Sequence, residues 1–160
     1  MRPRPARPVR LRPAQPVRPR PALGLQAGRR WLHVVSRRVP SGGGAALCWT
    51  ETHADADAEA APPDLEERLR GRDAAELVAS VLAAWSGRPI AEVAQEIGAA
   101  GIPPGEVAEG LDAAPGAHAL RITRRYLDPS GAPLAVSVSL HPEGRFSYVS
   151  RLRRASEAPP

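Results

Sequence analysis

The sequence predicts an α+β domain whose largely antiparallel sheet is covered on one face by helices. Two β-rich segments with a glycine turn between them occupy residues 31–53, and helical periodicity dominates residues 73–86. Alternating apolar and polar residues return after residue 117. This order of a strand pair, helices and a strand meander is typical of an α+β fold.

The strand pair is predicted from two segments that flank a turn. Residues 31–39 (WLHVVSRRV) are apolar and rich in β-branched side chains, and residues 40–44 (PSGGG) have the composition of a turn. Residues 45–53 (AALCWTETH) then alternate. We therefore expect a β-hairpin in which Trp49 and Thr50 point to opposite faces.

Helices are predicted in the middle of the chain. A small acidic loop at residues 54–63 precedes a short helix at residues 65–70. A longer helix is expected over residues 73–86, because Asp73 and Glu76 have the spacing of a capping box. An apolar stripe along this helix indicates that one side packs on the sheet.

Residues 90–111 (IAEVAQEIGAAGIPPGEVAEGL) allow two interpretations. Residues 90–102 fit a helix or a strand, and the proline that opens residues 103–111 indicates a short helix. As two helices, the segment superficially resembles a helix–turn–helix. Its second helix, however, carries Glu106 and Glu109 and no basic residue, although the major groove of DNA presents dense negative charge. We therefore disfavour a DNA-reading role.

The C-terminal part is predicted to form three strands joined by tight turns. The strands correspond to residues 117–127, 132–141 and 145–153. The sequence DPSG at residues 128–131 is a strong turn signal, and residues 142–144 (PEG) form the second turn. The middle strand has the clearest alternation in the chain.

The ends of the chain are predicted to be disordered. Proline recurs every few residues over residues 1–22, where it fixes φ and removes hydrogen-bond donors. We expect an extended, disordered Arg/Pro-rich tail at residues 1–28, a domain at residues 29–154 and a disordered C-terminus at residues 155–160.

The net charge of +5 conceals an uneven distribution. All 22 basic residues are arginine, and eleven of them lie in residues 1–40, which contain no Asp or Glu. The rest of the chain has eleven arginines against 17 acidic residues, a balance of −6. We therefore do not expect the domain surface as a whole to attract nucleic acid, although the tail could contact phosphates.

The composition argues against several classes of site. Cys48 is the single cysteine, and four scattered histidines give no metal-ligand spacing. We find no nucleophile elbow, catalytic triad or phosphate loop. No apolar stretch approaches the length of a transmembrane helix, and no secretory signal is evident. We predict a cytoplasmic protein that is not an enzyme, with no membrane partner, metal or cofactor.

The best candidate for a ligand-binding site is one face of the C-terminal meander. We assume that the apolar residues of its first two strands face a single core. Parity then places these polar side chains together on the other face: Arg121, Thr123, Arg125, Ser137, Ser139 and His141. Arginine can bind carboxylate or phosphate through two hydrogen bonds, and hydroxyl groups suit sugars. The alternative is a solvated sheet face.

Two segments resemble the UTRA domain, the effector-binding half of GntR-family regulators of the HutC subfamily. The more specific segment is ALRITRRYLDPSGAPLAVSVSLHPEGRFSYVSRLRR at residues 119–154. Residues 90–111 before it resemble the family's strand followed by a short Pro-initiated helix, which favours a strand over residues 90–102. The hairpin WLHVVSRRVPSGGGAALCWTETHA resembles the family more weakly, so the resemblance covers about residues 30–154.

The resemblance implies a chorismate lyase-like fold, with a mainly antiparallel sheet flanked by helices. It implies dimerisation and a small metabolite as effector, and the known effector classes include sugar phosphates, amino-acid catabolites and other small anions. In the family, a linked winged helix binds DNA. Residues 1–28 stand in its place here, so we expect DNA contact only through a missing or separate winged-helix domain. No acid/base pair supports a lyase activity.

Two positions depart from the family. Ala135 stands where the family often has a Glu that contacts ligand, and Gly144 stands where it has Asp, whereas His141 falls at a position that often lines the ligand site. We predict a truncated regulator whose homodimeric sensing domain binds a small anionic metabolite. The alternative is a ligand-independent dimerisation module that pairs with a full-length regulator.

Overall fold

The described part of the chain forms a six-stranded antiparallel sheet with a short helix on one face. A computed structural model describes residues 7–16, 23–25, 29–40, 42–55, 84 and 87–152. Its elements are β1 (Arg7–Pro16), β2 (Arg30–Arg38), β3 (Cys48–Asp55), β4 (Glu92–Gly101), α1 (Glu106–Leu111), β5 (His118–Leu127) and β6 (Pro133–Pro142). The strand order is β1-β2-β3-β6-β5-β4.

The predicted hairpin is confirmed as β2 and β3. Their register runs without interruption from Trp31 opposite Asp55 to Arg38 opposite Cys48. In the turn between them, Gly43 and Gly44 have φ angles of 83° and 99°. A side chain would disfavour this left-handed conformation, which explains the glycine run.

Strand β6 is the centre of the sheet, because β3 pairs with one of its edges and β5 with the other. Every residue of β6 from Leu134 to His141 is buried, apart from the half-buried Val138. Both faces of this strand are therefore covered, and its alternation does not separate a core from solvent.

Residues 90–102 contain a strand, as the family resemblance predicts. Strand β4 pairs with β5 from Glu92 opposite Leu127 to Gly101 opposite His118. Helix α1 follows after a proline turn and ends at Asp112, whose φ of 49° is left-handed. A strand before a six-residue helix excludes the helix–turn–helix interpretation of this segment.

Strand β1 lies within the segment that the sequence predicts to be a disordered tail. Proline predicts an extended chain, and Arg7–Pro16 is extended; seven of these ten residues pair in register with β2. The ladder is interrupted between Arg12 and Gln15, where Pro13 has no partner in register. β1 is also an edge strand, and prolines are tolerated at edges and irregularities because they lack an N–H group. The rest of the tail and residues 155–160 lie mainly outside the described residues.

The third strand of the predicted meander is not formed. Residues 145–152 follow β6 without strand structure, and Val149 and Leu152 are exposed. The physical reason is that β3 already occupies the edge of β6 that a third meander strand needs. Alternation indicates strand propensity but not which edge is available.

The two central helices predicted at residues 65–70 and 73–86, with the Asp73 cap, lie outside the described residues apart from Ala84. Gly87 has a φ of 67°, a left-handed conformation that glycine adopts readily. Among the described residues, no helix is long and apolar enough to cross a membrane.

The register defines two faces of the sheet, since directly paired residues of an antiparallel ladder point to the same side. The helix face packs against α1 and includes the paired residues Trp49 and Leu140. The hydroxyl face is the opposite one and includes Thr50 and Ser139, which are paired and hydrogen-bonded at 2.8 Å.

The core on the helix face is built around Trp49. The indole is buried in a cluster with Ile102, Leu111 and Leu140. Its six-membered ring lies so close to Gly110 of α1 that a Cβ atom there would overlap it. Glycine at this position lets the helix approach the sheet.

An ion-pair network fixes the end of β3 to the turn between β5 and β6. Asp55 Oδ2 accepts hydrogen bonds from Arg29 Nη2 at 2.6 Å and Arg88 Nη1 at 2.8 Å. Arg88 Nη2 also donates to Asp128 Oδ2 at 2.6 Å. Hydrogen bonds from Ser130 and Arg88 hold the pKa of Asp128 well below its usual range. The predicted DPSG turn is thus anchored to the sheet.

Gly110→Val is expected to destabilise the domain, because the new side chain has no room beside Trp49. Overpacking of this kind costs about 2 kcal/mol. Gly98→Val is the control, since a Cβ at Gly98 meets only the end of the Arg121 side chain at 4.0 Å. Urea denaturation should show a lower free energy of unfolding for Gly110→Val, and equal values for the two variants would contradict this packing.

Candidate functional site

The six residues predicted to form a ligand site divide between the two faces of the sheet. The helix face carries the three from β5: Arg121, Thr123 and Arg125. The hydroxyl face carries the three from β6: Ser137, Ser139 and His141. Arg121 pairs with Leu140, for example, whereas Ser139 pairs with Ile122. The expectation that all six share one surface is therefore wrong.

The parity argument fails because the sheet has a buried layer on both sides. Ile122 and Tyr126 are buried on the hydroxyl face, and Val136 and Leu140 are buried on the helix face. The apolar residues of β5 and β6 therefore do not meet in a single core. The one arginine of β5 that shares a face with the β6 hydroxyls is Arg124, one position away from the predicted Arg125.

The hydroxyl face contains a buried group of small polar side chains on three adjacent strands. They are Ser36 of β2, Thr50 and Thr52 of β3, and Ser137 and Ser139 of β6. All except the half-buried Thr50 are buried. Hydroxyl groups can donate or accept hydrogen bonds, so this group can bind either kind of ligand atom.

Two arginines and a histidine border these hydroxyls. Burial, followed by the positive charges of Arg124 and Arg38, lowers the pKa of His141 to about 4. Arg38 Nε and His141 Nδ1 are buried and have no hydrogen-bond partner among the described residues. Arg124 Nε donates to Gln95 Oε1 at 2.7 Å. The region is positively charged and has unused hydrogen-bonding capacity.

The segment after β6 covers one side of this region. The ring of Phe146 stacks on His141 with centroids 4.0 Å apart. Arg145 donates hydrogen bonds to the carbonyl oxygens of Ala46, Leu111 and Asp112, which anchors the segment to α1. These contacts give Arg145 a structural role.

A separate cavity of about 320 Å³ lies on the helix face. Trp49, Val138 and Leu140 contribute apolar walls, and Glu51 and Arg121 are among its polar lining residues. Arg121 is the only one of the six predicted site residues that lines it. Among the described residues, no group of three His, Cys, Asp or Glu side chains is arranged to hold a metal ion.

Sequence reasoning missed Arg38, Arg124 and Thr50 on the hydroxyl face. Arg38 and Thr50 belong to the hairpin, and their pairing with β6 through β3 is a long-range contact that no local pattern reveals. Arg124 is the ladder partner of Ser137 and therefore lies on the same face. The correct register of β5 against β6 would have identified Arg124 as a site residue.

The chain matches the family model of the UTRA domain over residues 20–147. It belongs to the UTRA family. The match includes five of the six strands and the whole hydroxyl face. UTRA domains are the effector-binding domains of GntR-family transcription regulators, as the family resemblance of the sequence predicts. Curated proteins include no sequence match to this UTRA chain.

Solved structures of regulators share the fold. The C-terminal domain of the histidine utilization repressor from Pseudomonas syringae pv. tomato str. DC3000 is 18% identical, with a TM-score of 0.69 and coverage of 96% of this chain and 100% of that chain. The effector domain of PhnF from Mycobacterium smegmatis is 16% identical, with a TM-score of 0.69 and coverage of 95% and 87%.

A GntR-family transcriptional regulator from Enterococcus faecalis V583 is 18% identical, with a TM-score of 0.64 and coverage of 92% of this chain and 99% of that chain. At these identities the likeness concerns the fold. It confirms the predicted chorismate lyase-like architecture, with its mainly antiparallel sheet.

The depressed pKa of His141 predicts how stability depends on pH. A histidine whose pKa falls from 6.5 in the unfolded chain to about 4 in the folded chain binds more protons when unfolded. Its contribution should therefore lower stability as pH falls from 6.5 through 4 and have no effect above 6.5. His141→Gln should flatten this part of the profile in urea denaturation, whereas His118→Gln, at an exposed position, should not. Parallel profiles for all three proteins would refute the assignment.

Proposed function

We propose that this UTRA domain senses a small anionic effector and that the effector binds on the hydroxyl face. The observation that carries the proposal is the pair of buried nitrogen atoms, Arg38 Nε and His141 Nδ1, that lack partners among the described residues. A buried polar group without a hydrogen bond costs free energy. A ligand that provides oxygen atoms would remove this cost.

The distribution of charge supports an anion. On the hydroxyl face of β2 to β6, all the charged side chains are arginines: Arg38 and Arg124, whose charges help to lower the pKa of His141, and Arg30 at the start of β2. The register places every carboxylate of these five strands on the helix face: Glu51, Asp55, Glu92 and Glu96. No acidic group of these strands therefore competes with a carboxylate or phosphate for these guanidinium groups.

The hydroxyl groups and Ala135 define the rest of the proposed site. Ser137 and Ser139 lie beside Thr50 and Thr52 and can hydrogen-bond the polar body of an effector. Ala135 is on the same face, so replacement of the family's glutamate leaves no acidic group there. Sugar phosphates, organic acids and amino-acid catabolites all fit this chemistry.

The proposed output is transcriptional regulation. The UTRA fold serves as a sensor in the regulators that this chain resembles, and we propose the same role here rather than catalysis. DNA binding would belong to a winged-helix domain that is separate from residues 7–152. We further propose that the domain acts as a homodimer in the cytoplasm.

Effector binding is tested by a thermal-shift screen of sugar phosphates, amino acids and organic acids, followed by calorimetry. Arg124→Gln should weaken the binding of an anionic hit about tenfold, because it removes a charge-assisted hydrogen bond. Arg121→Gln is the matched control, since this residue lies on the same strand but on the helix face. Binding should also raise the pKa of His141, because a bound anion stabilises the imidazolium.

Two results would reject the proposal. One is a folded protein that responds to none of these compounds. The other is an anionic ligand whose affinity falls with Arg121→Gln and not with Arg124→Gln, because that result assigns the site to the helix face.

The second candidate function is a dimerisation module that pairs with a full-length regulator. It is favoured by β4, which lies at an edge of the sheet and exposes Val93 and Ile97. Edge strands can pair with another chain. Light scattering coupled to size exclusion should show an assembly that Ile97→Lys weakens. A strict monomer, both alone and with a full-length UTRA regulator, contradicts this function.

A further inference from the structure

The helix-face cavity lies on the opposite side of the sheet from the proposed effector site. Its volume of about 320 Å³ is sufficient for a small molecule. Apolar side chains from the sheet and from α1 form most of its lining, among them Trp49, Val107 and Leu140.

Glu51 places a negative charge in this cavity. The neighbouring His33 is the main cause that lowers the pKa of Glu51 to about 2, so the carboxylate is ionised at neutral pH. His33 Nε2 lies 3.4 Å from Glu51 Oε2, and Trp49 Nε1 donates to Glu51 Oε1 at 3.4 Å. A carboxylate has about four lone-pair positions, so these contacts leave capacity for a further donor.

The cationic residue of the cavity is already paired. Arg121 Nη2 lies 3.6 Å from Glu96 Oε1, and nearly half of the Arg121 side chain is exposed, compared with 29% for Glu51. The positive charge of Arg121 is therefore screened by Glu96 and by solvent. The negative charge of Glu51, which is less exposed, is screened less by solvent. The stronger electrostatic feature of the cavity is the carboxylate.

We propose that the helix-face cavity is a second ligand site, which takes a small organic cation with an apolar body. A primary amine or guanidine group would donate hydrogen bonds to Glu51, and the apolar body would pack against Trp49 and Leu140. The indole of Trp49 adds an attraction for cations. The described residues offer no three-ligand metal cluster, which favours an organic cation over a metal ion.

This second site is independent of the proposed effector. The two sites differ in ligand charge and lie on opposite faces, yet they share strands, because Glu51 lies between Thr50 and Thr52 of the hydroxyl face. If binding at one of the two sites is disproved, the proposal for the other site still stands, because different side chains of β3 line each site.

The proposal is tested with the full chain by titrating phenethylamine and, in parallel, 2-phenylethanol. The two probes are similar in size, but only the amine carries a positive charge at neutral pH. We expect the amine to bind at least about tenfold more tightly, the effect of one charge-assisted hydrogen bond. Nuclear Overhauser contacts between the probe and the Trp49 indole should locate it in the cavity.

Variants separate this site from its neighbours. Glu51→Gln should abolish the preference for the amine, whereas Glu92→Gln, which changes an exposed carboxylate of β4 outside the cavity lining, should retain it. Arg124→Gln should also retain it, even if this variant loses effector binding. Equal affinity of the wild-type protein for amine and alcohol overturns the proposal without reliance on any variant, as does an unchanged preference in folded Glu51→Gln.

Discussion

The pairing of β6 with β3 on one edge and β5 on the other is the constraint on which the rest of the structure depends. It places a strand from the C-terminal half beside the hairpin from the N-terminal half. Because side chains of a strand alternate between faces, this pairing also aligns the chemistry of three strands row by row. The row Thr50–Ser139–Ile122 belongs to one face and the row Trp49–Leu140–Arg121 to the other.

Contacts outside the ladder hold this arrangement in place. Asp55 is connected through Arg88 to Asp128, so the end of β3 is fixed to the turn that begins β6. At the other end of β6, Arg145 binds the carbonyl oxygens at the end of α1, and Gly110 lets that helix pack on Trp49. These contacts fix the position of β3 relative to β6. A binding site built from both strands requires such a fixed arrangement.

The sequence was sufficient for elements defined by local patterns. The hairpin, the short helix after Pro103, the DPSG turn and the strands β5 and β6 all follow from alternation and turn residues. The pairing of strands that are distant in the sequence could not be predicted from local patterns. β1 pairs with β2 despite its prolines, residues 145–152 find no free edge on β6, and both faces of β6 are covered. Because both faces of β6 are covered, the arginine that shares a face with Ser137 and Ser139 is Arg124 and not Arg121 or Arg125. Assigning faces by alternation requires knowing how many cores a sheet has.

The two positions that depart from the family pattern, Gly144 and Ala135, have different physical consequences. One concerns the backbone, and the other concerns the separation of charge between the two faces of the sheet. Gly144 has a φ of 74° in the turn after β6, a conformation that glycine adopts readily and aspartate tolerates, so this change preserves the backbone. Ala135 changes the electrostatics instead. With glutamate at this position, the hydroxyl face would carry one carboxylate two residues along β6 from Ser137, the ladder partner of Arg124, and part of the Arg124 charge would be neutralised within the protein. With alanine, that charge is left for the proposed effector, and an effector with two negative charges, such as a phosphate ester, would gain more at the proposed site than a neutral sugar would.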